Sequence, residues 1–254
     1  QGVVILAFNR PEWYVANLAT IAVGARPAGI YTNTTPEQCR YITEHAEAAV
    51  AVVENRDSLV RLQAAGGRPA GLKAIVLMDG EATEPGALTW ADFLARGHDA
   101  HDAEVDRRTA AAKADDVATL IYTSGTTGTP KGVMLTQRNL TFIAETAREI
   151  LLAGAGDRLL SYLPLSHIAE QVVSHLLSLA SGACVHFAES LEKLPENLRE
   201  VRPHIFLGVP RVWEKIQAGM QAAGAQASPL RRRIAAWAKG VGLAGGYADQ
   251  EGRP

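Results

Sequence analysis

Apolar residues fall in two rhythms along this chain. Short runs rich in valine, isoleucine and leucine at residues 3–8, 49–53, 74–77, 117–122, 159–163, 183–187 and 204–207 have the length of buried strands. Between them apolar positions recur every three or four residues, the spacing of a helix with one buried face. Three of these stretches have marked starts. Pro11 and Glu12 follow Asn9 and Arg10, placing proline in a first turn where its missing N–H costs nothing; Thr35-Pro36-Glu37-Gln38 has capping-box spacing; and Ser228-Pro229 precedes a further periodic run. Strands alternating with helices predict an α/β fold of largely parallel sheets flanked by helices, because a parallel pair needs a crossover long enough to hold a helix.

At residues 96–116 the rhythm gives way to histidine, aspartate, arginine and alanine. A lobe boundary or long surface connection is expected there, dividing the chain approximately into lobes 1–100 and 115–254. The 254 residues are 47% hydrophobic and 20% charged, enough for a sizeable core. With 25 basic against 27 acidic residues there is no summed field to gather nucleic acid, and none is expected as a partner. Cys39 and Cys184 share no metal-ligand spacing and read as two buried, reduced thiols of a cytoplasmic protein. The apolar stretch 172–187 is broken by His175, Ser181, Gly182 and His186, too polar for a membrane span of about 20 residues. Arg231-Arg232-Arg233 reads as the solvated side of a helix that presents Ile234, Trp237 and Val241 on the other. The opening in mid-strand without an initiator methionine, and the glycine-rich close, lead us to expect a fragment of a longer protein.

The chemistry concentrates between Leu120 and Leu135. A buried-strand pattern runs into Thr123-Ser124-Gly125-Thr126-Thr127-Gly128-Thr129-Pro130-Lys131-Gly132, and an apolar run follows. Gly125, Gly128 and Gly132 let the backbone come close to a ligand, so that successive N–H groups converge on an anion. Thr123, Ser124, Thr126, Thr127 and Thr129 add hydroxyls and Lys131 adds charge, a set matched to a polyphosphate. A Walker loop is excluded by the letters: counting from Gly125, Pro130 stands where the second glycine belongs, and Gly132 where Ser or Thr should bind magnesium. The run after Lys131 also reads as strand, not helix. An ordinary glycine- and threonine-rich hairpin is the competing reading, and five hydroxyls, three glycines and a lysine in ten residues argue against it.

The segment from Tyr122 to Val133 resembles the signature of the adenylate-forming, AMP-binding superfamily of acyl-CoA synthetases, luciferases and peptide-synthetase adenylation domains. Asn9-Arg10-Pro11-Glu12-Trp13, Tyr162-Leu163-Pro164-Leu165-Ser166-His167-Ile168-Ala169-Glu170 and Gly208-Val209-Pro210-Arg211-Val212-Trp213-Glu214-Lys215-Ile216 are similar to its long-chain fatty acid CoA ligase branch. The resemblance implies part of the large N-terminal domain of that fold over residues 1–254, without the small C-terminal lid domain. It implies a two-step reaction: a fatty acid carboxylate attacks the α-phosphorus of ATP and expels pyrophosphate, then the thiolate of coenzyme A displaces AMP. ATP, Mg2+ and coenzyme A are the implied cofactors and co-substrates. By matched position, Thr123, Ser124, Gly125, Thr126, Thr127, Gly128, Thr129 and Lys131 would grip the phosphates, with the Thr123 hydroxyl also a magnesium ligand.

His167 falls at the family's histidine or aromatic position beside the acyl-adenylate. A histidine after Pro-Leu-Ser could equally cap the helix that starts there. Arg211 receives no catalytic role, and His175, His186 and His204 are expected to pack or face solvent, since no zinc spacing links them. The family's adenine, ribose and lid-lysine segments do not occur in the chain, so it is expected to be inactive alone. An aryl- or amino-acid adenylation module and a non-catalytic nucleotide-binding homologue are the alternatives. Cytoplasmic residence is expected, with peripheral contact at the inner face of a membrane left open.

Overall fold

The computed structural model describes residues 1–123 and 128–252. Strands β1 (Gly2–Leu6), β2 (Arg26–Gly29), β3 (Ala48–Val53), β4 (Ala74–Leu77) and β5 (Ala87–Thr89) are separated by helices α1 (Pro11–Ala22), α2 (Pro36–His45) and α3 (Arg56–Gln63). Helix α4 (Trp90–Leu94), a 3-10 turn (Asp99–His101) and α5 (Asp102–Ala111) then carry the chain to β6 (Val117–Thr123) and β7 (Lys131–Thr136). The sheet order is β5-β4-β3-β1-β2-β6-β7, parallel throughout except for β7, which returns antiparallel on β6.

The steps from β1 to β2 and from β2 to β3 run in opposite directions across the sheet, which puts α1 on one face and α2 and α3 on the other. Side-chain alternation carries this out. Val4, Leu6, Ala28, Ile30, Val53 and Leu77 pack with Cys39, Ile42, Leu59 and Leu62; Ile5, Ala7, Val52 and Val76 pack with Trp13 and Ala16 of α1 and with Leu165. With both faces covered, the strands carry unbroken apolar runs, which is why most of them are visible in the sequence.

Strand β2 is not. Its Arg-Pro-Ala-Gly sequence is poor strand material, and Pro27 lacks the N–H that an interior strand needs. It is held between β1 and β6 by tertiary pairing, and the Pro27 carbonyl accepts from the buried Thr119 hydroxyl at 3.0 Å. Residues 204–207, expected as a strand, contribute a single bridge from Ile205 to Leu159. The division into lobes 1–100 and 115–254 also needs correction. Residues 96–116 form an exposed connection, as the alternative reading had it, but β6 pairs with β2 beyond it, so one sheet spans the break.

Helix α6 (Gln137–Ile150) is capped by Thr136 in a reciprocal box with Asn139. It leads to β8 (Arg158–Ser161), which pairs in parallel with β9 (Cys184–Phe187) in a second, two-stranded sheet. Between these strands lie α7 (Ile168–Glu170), a π-helical stretch (Gln171–Leu176) and α8 (Leu177–Ser181), which stops at Gly182 with φ 76°. Helix α9 (Leu194–Val201) follows. Cys39 is buried and its thiol is pushed up to about 11 by that burial, whereas Cys184 is exposed. Val185 and Phe187 turn inward on β9, and alternation points Cys184 outward, correcting the expectation of two buried thiols.

Compactness divides the chain after Phe206. The second unit consists of α10 (Pro210–Ala225) and α11 (Pro229–Gln250). Arg231, Arg232 and Arg233 are exposed as expected, and so are Ile234, Trp237 and Val241. No helix among the described residues is long and apolar enough to cross a membrane.

Candidate functional site

The site lies at the carboxyl ends of β1, β2 and β6, the edge at which parallel sheets bind ligands. Thr123 ends β6, Lys131 opens β7, and the two are register partners across the hairpin. Of the expected phosphate-gripping residues, Ser124, Gly125, Thr126 and Thr127 lie outside the described residues. Gly128 has φ 85°, a left-handed conformation that favours glycine, and Thr123, Thr129 and Lys131 are exposed around it.

The base of the hairpin is tied down. Tyr122 pairs with Gly132 and its ring covers that glycine, where a Cβ would lie 3.2 Å from the ring. The Tyr122 hydroxyl is 2.8 Å from Nδ1 of His45, at the end of α2, and His45 stacks on Tyr41. Burial pushes the Tyr122 phenol up to about 12, so it stays protonated and serves as a tether.

Beside the hairpin opens a cavity of about 500 Å³ lined by Tyr31, Asn33, Thr34, Gln38, Ile42, Ile121, Tyr122, Thr123, Pro130, His167 and Ile168. It thus brings together Thr123 and His167, which lie 44 positions apart in the sequence. The described lining carries no carboxylate, which suits an anionic occupant. His167 takes the capping role that its sequence context allowed, and it also lines this cavity. It is the N-cap of α7, but as an acceptor: its Nδ1 takes a hydrogen bond from the Ala169 N–H at 3.1 Å. With Nδ1 accepting, Nε2 is the nitrogen left to donate.

The loop bearing His167 rests on buried polar side chains that pattern reading did not single out. Asn9 and Gln171 are almost fully buried and bond the loop's backbone and β8. Behind them, the Tyr14 hydroxyl donates to Ser174 Oγ at 2.7 Å, and Ser174 in turn donates to the Glu170 carbonyl at 2.8 Å. Burial outweighs the neighbouring Ser161 and Ser174 hydroxyls and raises the Glu170 carboxyl above its usual range. His175, stacked on Tyr14 and edge-on to Trp13, is pushed down to about 4 by burial and is neutral. It therefore packs, as expected, and no metal-binding cluster of His, Cys, Asp or Glu exists among the described residues. His204 accepts from the Arg158 N–H at 3.0 Å. The sequence signal for Asn9 was faint: an asparagine after a buried strand reads as a helix start, and its partners lie more than 150 positions away.

At the end of a parallel sheet, the base of the hairpin, through Thr123 and Pro130, and His167 thus line one cavity. The chain belongs to the AMP-binding enzyme family, whose model matches residues 1–246. Among curated proteins it is 43% identical over 252 residues to the long-chain-fatty-acid–CoA ligase ACSBG2 of Xenopus laevis, covering 96% of this chain and 34% of that protein. It is 45% identical over 254 residues to the ACSBG2 ligase of Gallus gallus, covering 96% and 33%. The chain thus spans about a third of the length of these relatives. Among solved structures, the A-PCP didomain of carboxylic acid reductase from Segniliparus rugosus in complex with AMP superposes with a TM-score of 0.68 at 22% identity, over 92% of this chain and 36% of that one. The o-succinylbenzoate CoA synthetase of Bacillus subtilis, in complex with its acyl-adenylate intermediate, gives 0.61 at 20% identity, over 86% and 51%. At these identities the structural matches speak for the fold.

Proposed function

We propose that this chain forms the phosphate-gripping part of an AMP-forming long-chain fatty acid CoA ligase. The observation that carries the reading is the convergence of the Thr123–Lys131 hairpin and His167 on one cavity free of described carboxylates. The carboxylate oxygen of the acid would form a bond to the α-phosphorus of ATP as the bond to pyrophosphate breaks; thiolate sulfur would then bond to the acyl carbon as AMP leaves. Both steps develop negative charge on a leaving oxygen attached to phosphate that is already charged. The help such a step needs is fixed positive charge and fixed donors, already oriented.

Lys131, exposed at the hairpin, supplies the charge, and the Thr123 and Thr129 hydroxyls and the Gly128 backbone supply donors. His167 presents Nε2–H to orient the acid's carboxylate and stands at the approach of the thiol. Magnesium fits the site in a limited way. The described residues offer it the Thr123 hydroxyl and no carboxylate cluster, which suits an ion that keeps water and substrate phosphate as most of its ligands. When bound, magnesium would neutralise phosphate charge. The protein is proposed to work in the cytoplasm, with peripheral contact at a membrane through its lipid substrate.

The test is carboxylate-dependent ATP/pyrophosphate exchange by the full-length gene product, with acids from acetate to palmitate and a panel of aryl and amino acids. Exchange with long-chain acids is expected. Exchange with aryl or amino acids alone would transfer the protein to another adenylating branch, and none with any acid would point to a non-catalytic homologue.

A further inference from the structure

We propose that Asn9 is a positioning residue that fixes the His167 imidazole at the cavity. Asn9 lies three residues beyond Leu6, the last residue of β1, and is 4% exposed. Its Nδ2 donates to Ser161 Oγ at 2.8 Å and to the Leu163 carbonyl at 2.6 Å, while its Oδ1 accepts from the Leu165 N–H at 3.2 Å. One amide so joins the end of β1 to the end of β8 and to both sides of Pro164. A buried asparagine with its donors and acceptor engaged costs little desolvation and has one orientation, so it sets geometry as well as stability.

The same loop is gripped at two further points. Gln171 Nε2 donates to the Leu165 carbonyl at 2.8 Å, so both backbone groups of Leu165 are taken by buried side chains. Gly29 of β2 is so close beneath that a Cβ there would lie 2.7 Å from Ser166 Cα. Only Ser166 separates Leu165 from His167, whose N–H closes a turn on the Pro164 carbonyl at 2.9 Å and whose ring caps α7. There is no slack between the clamp and the ring. Arg10, the next residue, points the other way and pairs with Glu12 at 2.7 Å and with Asp79. The Asn-Arg pair therefore divides the work: Arg10 fastens the start of α1 at the surface and Asn9 reaches across to the second sheet.

What His167 does rests on the ligase reading; where it is held does not, and two measurements separate the two. The first is histidine-selective 15N NMR of this chain, which reports the Nδ1 acceptor state of His167, with His45 on Tyr122 as an internal control. Asn9→Ala is expected to abolish the fixed acceptor signature of His167 and leave that of His45. Retention of the His167 signature in the folded variant would overturn the proposal. If both signatures vanish because the variant does not fold, Gln171→Ala decides. It frees the same loop from its other end, so loss of the His167 signature alone supports the clamp and retention rejects it.

The second is exchange kinetics of the full-length gene product. Asn9→Ala is expected to lower kcat/KM for the acid by about a hundredfold, the scale of an ångström's misplacement, with KM for ATP unchanged. Equal loss at all substrate concentrations with every KM unchanged would indicate a smaller folded fraction and count against positioning. Absence of exchange in the unsubstituted protein would remove the ligase reading and leave the NMR result to judge the clamp.

Discussion

Gly132 leaves little room for a side chain: a Cβ there would lie 3.2 Å from the Tyr122 ring, which would have to give by a few tenths of an ångström. Gly132→Ala presses on the ring that bonds His45, and is expected to lower stability by about 1 kcal/mol in chemical denaturation, the low end of the range for overpacking. An unchanged midpoint would mean that the ring moves freely. His175 makes a separate claim at the same scale. In the unfolded chain its imidazole binds a proton near the ordinary value of about 6.5, whereas burial among Trp13 and Tyr14 holds it down to about 4. The folded state is thus fully favoured above the unfolded value and loses stability as pH falls from about 6.5 toward about 4, by about 3 kcal/mol in all. Glu170 acts in the opposite sense, since its raised carboxyl makes burial costlier as pH rises through its folded value. Denaturation curves across that acid range should lose most of their slope in His175→Leu, and an undiminished slope would assign it to other groups.

Among the elements, α2 binds the site to the core: its Gln38 and Ile42 line the cavity and its His45 holds Tyr122. Its start depends on Thr35, whose side chain accepts from the Gln38 N–H. Thr35→Ala is expected to cost about 1 kcal/mol and Thr35→Ser close to nothing, because serine keeps the capping oxygen. Equal losses in the two would show that the threonine methyl, not the cap, is what counts. Helix α1 makes the larger contribution on the other face. Trp13 is fully buried between Gly29 and the polar layer of Ser174 and His175, and Trp13→Ala should cost about 3–5 kcal/mol in the same assay.

For the molecule as a whole, what could be read in the sequence followed from double burial. Strands covered on both faces carry unbroken apolar runs, so β1, β3, β4 and β6 stood out, and the hairpin loop stood out because its chemistry is local in sequence. What escaped was held by distant contacts. Strand β2, with Pro27 and Gly29, is a strand only because β1 and β6 flank it. Asn9 is a clamp only because β8 lies beside β1 in space. The expected lobe boundary failed for the same reason: a polar stretch marks exposure, and exposure does not reveal which strand the chain rejoins. His167 shows both limits together, since its sequence context allowed a cap or a pocket role, and the fold shows it as the cap of α7 at the edge of a cavity.

If the Thr123–Lys131 hairpin and the His167 loop form one adenylating site, as we propose, carboxylate-dependent ATP/pyrophosphate exchange of Lys131→Ala and His167→Ala in the full-length gene product will show it. Lys131→Ala is expected to lose about a hundredfold or more through weaker handling of ATP and pyrophosphate, and His167→Ala to lose on the side of the acid, each through a donor that acts on charge in the reacting complex. Exchange at the level of the unsubstituted protein in both variants would contradict it.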